Sequence, residues 1–341
     1  MKICHIAPFA PNRCGLYEAA RDMARADVLG GNIVYFVDAG VTVGGVREDP
    51  KIGAIDDRAG FRLATADPAM INDSDIIVLH TGAPDIWLVK CQAPIIWVVH
   101  GRPLACFRPE SQGKGNSYSL YKDVATWKRT KKMLYFWEEF KPHWDAVFGN
   151  KGVALDYPVI DEARFSPEGE KIKLQNEGKF NVLICDSSRE DIDLYETVVS
   201  CVETANEITG IKFHFFGFEH PIQPCWNPLL EKLKKLGCLG DIYGRMGDME
   251  KIYRSMDCLI SPNRIITRTI GEAISCGVNV IAQNPCKIAD YTIDFAQPEQ
   301  LKEALKKLMN NKPDTTERAK LLSSKKYYEK INKIYKEVQD A

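Results

Sequence analysis

Short apolar runs of strand length alternate with longer segments of helical period along nearly the whole chain, the pattern that consecutive βαβ units of a parallel sheet write. In the N-terminal half, Ile3 to Ala7 reads as a strand, residues 8–15 as a loop, Leu16 to Leu29 as a helix and Asn32 to Val37 as the next strand. Further strands are expected at Asp75 to Leu79, Ile95 to Val99 and Ala146 to Phe148, brief and apolar on both faces as buried parallel strands are. The alternation restarts after a polar, lysine- and glutamate-rich stretch at 166–179 that reads as a linker. Strands are then expected at Phe180 to Cys185, Ile211 to Phe216, Cys258 to Ser261 and Val278 to Ala282, with helices near 194–208, 249–256 and 299–309. Two such series in 341 residues imply two α/β domains facing a cleft. We place the N-terminal domain at 1–165 and the C-terminal domain at 166–315. A terminal helix at 316–341, carrying Tyr327, Ile331, Ile334 and Tyr335 at helical spacing, is expected to pack back across the N-terminal domain.

A formal net charge of −1 is not that of a protein that wraps nucleic acid with its whole surface. The eleven cysteines are odd in number, scattered and free of C-x-x-C pairs, so neither a disulfide framework nor a zinc site is expected. The N-terminal run meets Pro8 and Pro11 and does not read as a signal peptide, and no apolar run approaches the roughly 18 residues of a membrane span. A cytoplasmic protein is expected, with peripheral membrane contact left open.

Two stretches carry candidate chemistry. The loop ending at Gly15, between the first strand and the first helix, offers backbone N–H groups and a helix dipole to an anion. Asp38 closes the second strand about twenty residues later, which raises a dinucleotide site, although one glycine is not G-x-G-x-x-G. The second stretch runs from Ser261 to Gly277 as strand, loop, short helix and strand. The helix start near Thr267 and Thr269 would hold phosphate oxygens, with Arg264 and Arg268 supplying positive charge and Glu272 aimed at hydroxyls. Thr269-Ile270-Gly271-Glu272 also fits a capping box, which needs no ligand.

Around this stretch the chain resembles the group 1, or family 4, glycosyltransferases of the GT-B fold. The run Gly247 to Pro262, with Tyr253-Arg254-Ser255-Met256-Asp257 leading into a strand and Ser-Pro, looks like the family's approach to its donor site. Glu272-Ala273-Ile274-Ser275-Cys276-Gly277-Val278-Asn279-Val280-Ile281-Ala282 is similar to the family's Glu-Ala-Met-Ala-Cys-Gly-x-Pro-Val-Ile-Ala. Tyr157 to Pro167 looks like its interdomain segment and Phe215-Phe216-Gly217 like its strand-glycine step. The Gly15 loop and Ile95 to Gly101 occupy the places of its glycine loop and active-site histidine. The resemblance implies two Rossmann-like domains and a nucleoside diphosphate sugar as donor substrate. It also implies Glu272 on the ribose, the N–H groups of 267–269 on the diphosphate, His100 facing the sugar from the other domain, and a retaining reaction with neither metal nor cofactor. His100 also reads as a histidine closing a buried strand.

The chain departs from the family at two places. Arg264 stands where the first of two glutamates, seven residues apart, is usual, and a guanidinium donates where a carboxylate accepts. The segment Cys185 to Asp193 offers Arg189 as a displaced phosphate ligand among acids. An inactive relative that binds a nucleotide sugar is therefore the first alternative, and an NAD-dependent oxidoreductase, from Gly15 and Asp38, the second. Between 102 and 141, cations such as Arg108, Lys122, Lys128 and Lys131 interleave with Tyr118, Tyr121, Trp127 and Trp137. That composition suits an anionic glycan, an anionic lipid or a nucleic acid as acceptor, and equally an amphipathic helix with aromatics in the core. The histidines at 5, 80, 143, 214 and 220 lack ligand spacing, so no metal site is expected.

Overall fold

A computed structural model describes residues 1–9, 15–39, 55–56, 61–65, 71–80, 91–100, 129–185, 194–216, 226–244 and 247–340. The chain divides into two compact units, Met1–Asp161 with Ser323–Ala341, and Glu162–Leu322.

The first unit holds an eight-stranded sheet in the order β3-β4-β2-β1-β5-β6-β7-β8. Its strands are β1 (Lys2–Ala7), β2 (Ile33–Asp38), β3 (Ile55–Asp56), β4 (Phe61–Thr65), β5 (Ile76–Leu79), β6 (Ile95–Val99), β7 (Thr130–Phe136) and β8 (Gly152–Leu155). Only β3 runs antiparallel. Helix α1 (Gly15–Leu29) follows β1, and the C-terminal helix α9 (Ser324–Gln339) packs beside it. Ile3, Ile76, Val78, Ile96 and Val98 make one core with Met23 and Ala26 of α1 and with Tyr327, Ile331, Ile334 and Tyr335 of α9. Where the two helices approach, a Cβ on Gly30 would lie 2.1 Å from the ring of Tyr328.

The second unit carries a six-stranded parallel sheet, β11-β10-β9-β12-β13-β14. These are β9 (Phe180–Ile184), β10 (Ile211–Phe215), β11 (Leu239–Ile242), β12 (Cys258–Ser261), β13 (Asn279–Gln283) and β14 (Tyr291–Ile293). Around them lie α3 (Leu194–Ala205), α4 (Asn227–Lys235), α5 (Met249–Tyr253), α6 (Arg268–Ser275), α7 (Pro298–Asn310) and α8 (Thr316–Leu321). The strand order is that of a doubly wound dinucleotide fold, with its direction of growth reversing between β9 and β12.

Several sequence expectations are corrected. Residues 146–148 belong to helix α2 (Lys141–Phe148), which opens on Pro142 and stops at Gly149 with φ 57°, and the strand follows as β8. The terminal helix is two helices, because Ser323 leaves helical geometry to cap α9 with its side chain on the N–H of Lys326, and α8 stays in the second unit. The stretch 166–179 belongs to the second unit and is tied down by side chains. Asp241 accepts the N–H groups of Gln175 and Asn176 at 2.8 and 2.9 Å, and Arg254 donates to the carbonyls of Arg164 and Ser166 at 2.7 and 2.8 Å. Residues 130–136 of the basic, aromatic segment form a buried strand, with Tyr135 and Phe136 in the core.

One buried titratable group ties stability to pH. His214 on β10 donates from Nε2 to Asn181 Oδ1 at 3.1 Å and accepts the Asp241 N–H on Nδ1 at 3.0 Å, so its ring is neutral. Burial pushes its pKa down to about 4 against the opposing pull of the Asp241 carboxylate. The unfolded chain takes up a proton near 6.5 and the folded chain does not until about 4, so this stability is present above pH 6.5 and lost as pH falls toward 4. The thermal midpoint should drop across that window, and His214→Asn should flatten the drop in a calorimetric pH series.

Candidate functional site

In a parallel sheet covered on both faces, ligands reach the carboxyl ends of the strands, and the crevice opens where the strand order reverses. In the second unit that places the loop 262–267, leading from β12 into α6, beside the reversal. Asn263 is buried with Nδ2 on Ser261 Oγ at 3.0 Å, Ile265 and Ile266 are buried, and Arg264 between them is exposed. Thr267 ends the loop in extended geometry (φ −85°, ψ 167°) and caps α6 by accepting the Ile270 N–H at 3.4 Å. Its hydroxyl also lies 2.7 Å from that of Thr269. The cap at Thr267 puts Ile270, not Glu272, at the third helical position, so Thr269-x-x-Glu272 is not a capping box.

Glu272 is instead drawn into the unit. Its Oε2 accepts the Tyr253 hydroxyl at 3.0 Å and its Oε1 pairs with Arg268 Nε at 2.7 Å, one helical turn away. The carboxylate is 7% exposed, and Tyr253 is held far above its usual pKa by burial, with the nearby Cys185 and Glu272 adding to it. Hence Tyr253 is a permanent donor. The Arg268 guanidinium packs 5.7 Å from the centre of the Phe165 ring, which Arg164 approaches at 4.9 Å. Thr267, Arg268, Thr269 and Glu272 are thus brought together, with Arg268 directed at Glu272. Tyr253 lay in the family-like run but signalled no role there.

The glycine of the family-like run has a structural duty. Gly277 (φ 80°) follows the helix; its N–H reaches Ile274 O at 3.0 Å, and the Val278 N–H reaches Ala273 O at 2.9 Å, closing a Schellman stop that feeds β13.

In the first unit, His100 follows β6 and is partly exposed. Its Nε2 lies 2.8 Å from His80 Nδ1; His80 Nε2 lies 2.9 Å from His5 Nδ1; and His5 Nε2 lies 2.8 Å from Asp27 Oδ2. The Tyr335 hydroxyl donates to the same Oδ2 at 2.7 Å. Sequence reasoning missed His5, His80, Asp27 and Tyr335. The signal was parity: His5, His80 and His100 extend the same face as Ile3, Val78 and Val98 on three adjacent strands. Gly15 begins α1 with nothing within 4 Å of a built Cβ. Asp38 is 1% exposed and accepts the Phe9 N–H at 3.4 Å. Arg189, and 102–128 of the acceptor segment, lie outside the described residues. At the far end of that segment, Arg129 donates to the Cys91 carbonyl and Lys132 pairs with Glu337 at 3.3 Å.

The coupling at Glu272 has a measurable consequence. Arg268→Met should cost about 3 kcal/mol in urea unfolding, because it leaves a buried carboxylate without its cation, and Tyr253→Phe about 1 kcal/mol. The double variant Arg268→Met with Glu272→Met should be more stable than Arg268→Met alone.

No family model matches the chain, and no curated protein matches it in sequence. Solved structures do match it along its length. A glycosyltransferase from Rickettsia africae superposes with a TM-score of 0.63 at 15% identity, over 99% of this chain and 98% of that one. The Anabaena protein HepE in complex with UDP-glucose gives 0.64 at 12%, over 99% and 100%. An alpha-glucosyltransferase in complex with UDP and a 13-mer DNA gives 0.60 at 10%, over 100% of both chains. At such identities what is shared is the architecture, and the chain accordingly has the GT-B fold of these glycosyltransferases, with two Rossmann-like units in one polypeptide.

Proposed function

We propose that the protein is a glycosyltransferase that moves a sugar from UDP to a nucleophile on a negatively charged acceptor. The observation that carries this reading is the joint placement of Glu272 and the amino end of α6 at the carboxyl end of β12, beside the reversal of strand order. The dipole at the amino end of a helix suits a diphosphate, and the exposed Arg264 adds positive charge on the loop before it. A carboxylate offers about four acceptor sites, so Glu272 can hold Tyr253 and Arg268 and still receive ribose hydroxyls. Uridine is the base we favour because both liganded structures described above hold UDP.

As the glycosidic bond breaks, negative charge grows on the leaving diphosphate oxygen, and the helix dipole with Arg264 stabilises it without a metal ion. We place His100 on the transferred sugar and Gly15 near the reacting groups, and we expect retention of configuration, with the leaving oxygen taking the acceptor's proton. Recognition of the acceptor falls to the cations and rings of 102–128. The alpha-glucosyltransferase described above is in complex with DNA, a polymer of the required charge. No helix among the described residues is long and apolar enough to cross a membrane. We assign the protein to the cytoplasm on the odd, scattered cysteines, with peripheral membrane contact left open.

Arg264 favours a second reading, a relative that binds the nucleotide sugar without transferring it. Titration calorimetry with chelator present tests both. UDP should bind and NAD should not, and Glu272→Ala should weaken UDP by roughly tenfold or more, the loss of charged hydrogen bonds of about 1.5–3 kcal/mol. UDP release from UDP-glucose on prolonged incubation with chelator supports transfer; binding without release supports the second reading. Silence toward every nucleoside diphosphate overturns both.

A further inference from the structure

Among the described residues the second unit carries five arginines, and four of them are engaged within it. Arg164 donates from Nε to Glu250 Oε2 at 3.0 Å, and Arg254 donates to the carbonyls of Arg164 and Ser166. Arg268 pairs with Glu272 at 2.7 Å and Arg318 with Asp290 at 2.6 Å. The fifth, Arg264, is exposed and makes no hydrogen bond or ion pair with the described residues.

Its place in the loop is fixed by its neighbours. Of residues 261–270, which lead from the end of β12 into the first turn of α6, Arg264 alone is exposed. Thr267, Arg268 and Thr269 are half-buried and the other six are buried. Asn263 donates its N–H and its Nδ2 to Ser261 Oγ at 3.4 and 3.0 Å, and Ile265 and Ile266 enter the core. The backbone on both sides of residue 264 is thus held by the interior, while the side chain stays in solvent at the carboxyl end of the sheet. Three residues on, Thr267 caps α6, so the two Cα atoms are no more than about 11 Å apart. That span covers a diphosphate at the helix end together with the sugar joined to it. All of these groups belong to the second unit.

A guanidinium is charged at every working pH, carries five N–H donors and accepts nothing. Its planar fork meets a carboxylate through two parallel charge-assisted hydrogen bonds, whereas the hydroxyl of a neutral sugar offers it one oxygen and no charge. One edge of the fork can face the diphosphate and leave the other edge for a second anion. The fold does not supply that anion from the helix beside it. Glu272, the carboxylate of α6, is already paired with Arg268 and receives the Tyr253 hydroxyl.

We infer that Arg264 selects the donor sugar, and that this sugar is a hexuronic acid whose carboxylate rests on the guanidinium fork. This rests on the nucleotide-sugar reading above, and it holds whether the bound sugar is transferred or only held. A sugar with a hydroxymethyl group in place of the carboxylate loses the paired hydrogen bonds and the charge, and is the weaker ligand.

The test is titration calorimetry of the full-length protein at pH 7 with UDP, UDP-glucose and UDP-glucuronate, which differ at the sugar by its absence and by one carboxylate. The native chain should bind UDP-glucuronate about tenfold more tightly than UDP-glucose, the effect of a charge-assisted pair partly screened by solvent. The ratio of the two affinities is the readout, because a charge at 264 acts on the diphosphate of both ligands alike. Arg264→Ala should bring that ratio close to one, and Arg264→Glu should reverse it in favour of UDP-glucose. Both variants should melt with the native chain, since the arginine is exposed and bonded to none of the described residues. Equal binding of the two sugars by the native chain, as a merely solvated arginine would give, overturns the proposal and leaves the UDP site standing. A preference for UDP-glucuronate that survives in Arg264→Ala also overturns it, because the carboxylate is then read elsewhere. Silence toward UDP itself overturns the nucleotide-sugar reading and this proposal with it.

Discussion

A parallel sheet covered on both faces leaves its chemistry nowhere to go but the ends of its strands. In β5, β6, β9 and β12 every residue is buried, and side chains that could meet a ligand come just after the last one. His100 follows β6, and the loop before Thr267 follows β12. The positions of these groups are set by strand registers that the core enforces, because a slip of one residue would turn each apolar run out of its core. The precision expected of a binding site is thus inherited from packing far from it.

Several of the polar groups that enter the interior are met by a partner delivered by the fold. Asp27 receives a hydroxyl from Tyr335, 308 residues away, and His214 sits between Asn181 and Asp241. Arg25 donates to Asp161 at 2.9 Å, while the N–H of Asp161 donates to Asp22 at 3.2 Å, which anchors the end of the first unit's main segment to α1. Burying such groups without partners would cost several kcal/mol apiece, so the contacts that close the first unit around α9 and those that orient its histidines are the same contacts. The C-terminal helix is in this sense part of the candidate site without approaching a ligand.

At Glu272 the two roles also overlap. A carboxylate held by Tyr253 and Arg268 has its orientation settled by the fold. The same pairing turns Arg268 toward Glu272, whereas Arg264 on the preceding loop is exposed. A guanidinium at 264 only donates, and so suits an acceptor or an anion.

Local periodicity made the fold legible, because whether a run of residues buries both faces is written in the run itself. Strands β1, β5, β6, β9, β10 and β12 and helices α1, α3 and α7 all followed from it. Where it misled, a local signal was overruled: Pro142 and Gly149 made a helix of 146–148, Ser323 divided the terminal helix, and the aromatics of 135–136 went into a strand rather than onto a binding face. What no local pattern contains is the partner of each polar group. The pairings of His5 with Asp27, His5 with His80 and Asp27 with Tyr335 span 22, 75 and 308 residues. Sequence alone therefore determined which segments become strands and helices. Only the tertiary structure decided which polar groups meet, since a partner is set by the neighbour across space and not by the neighbours along the chain.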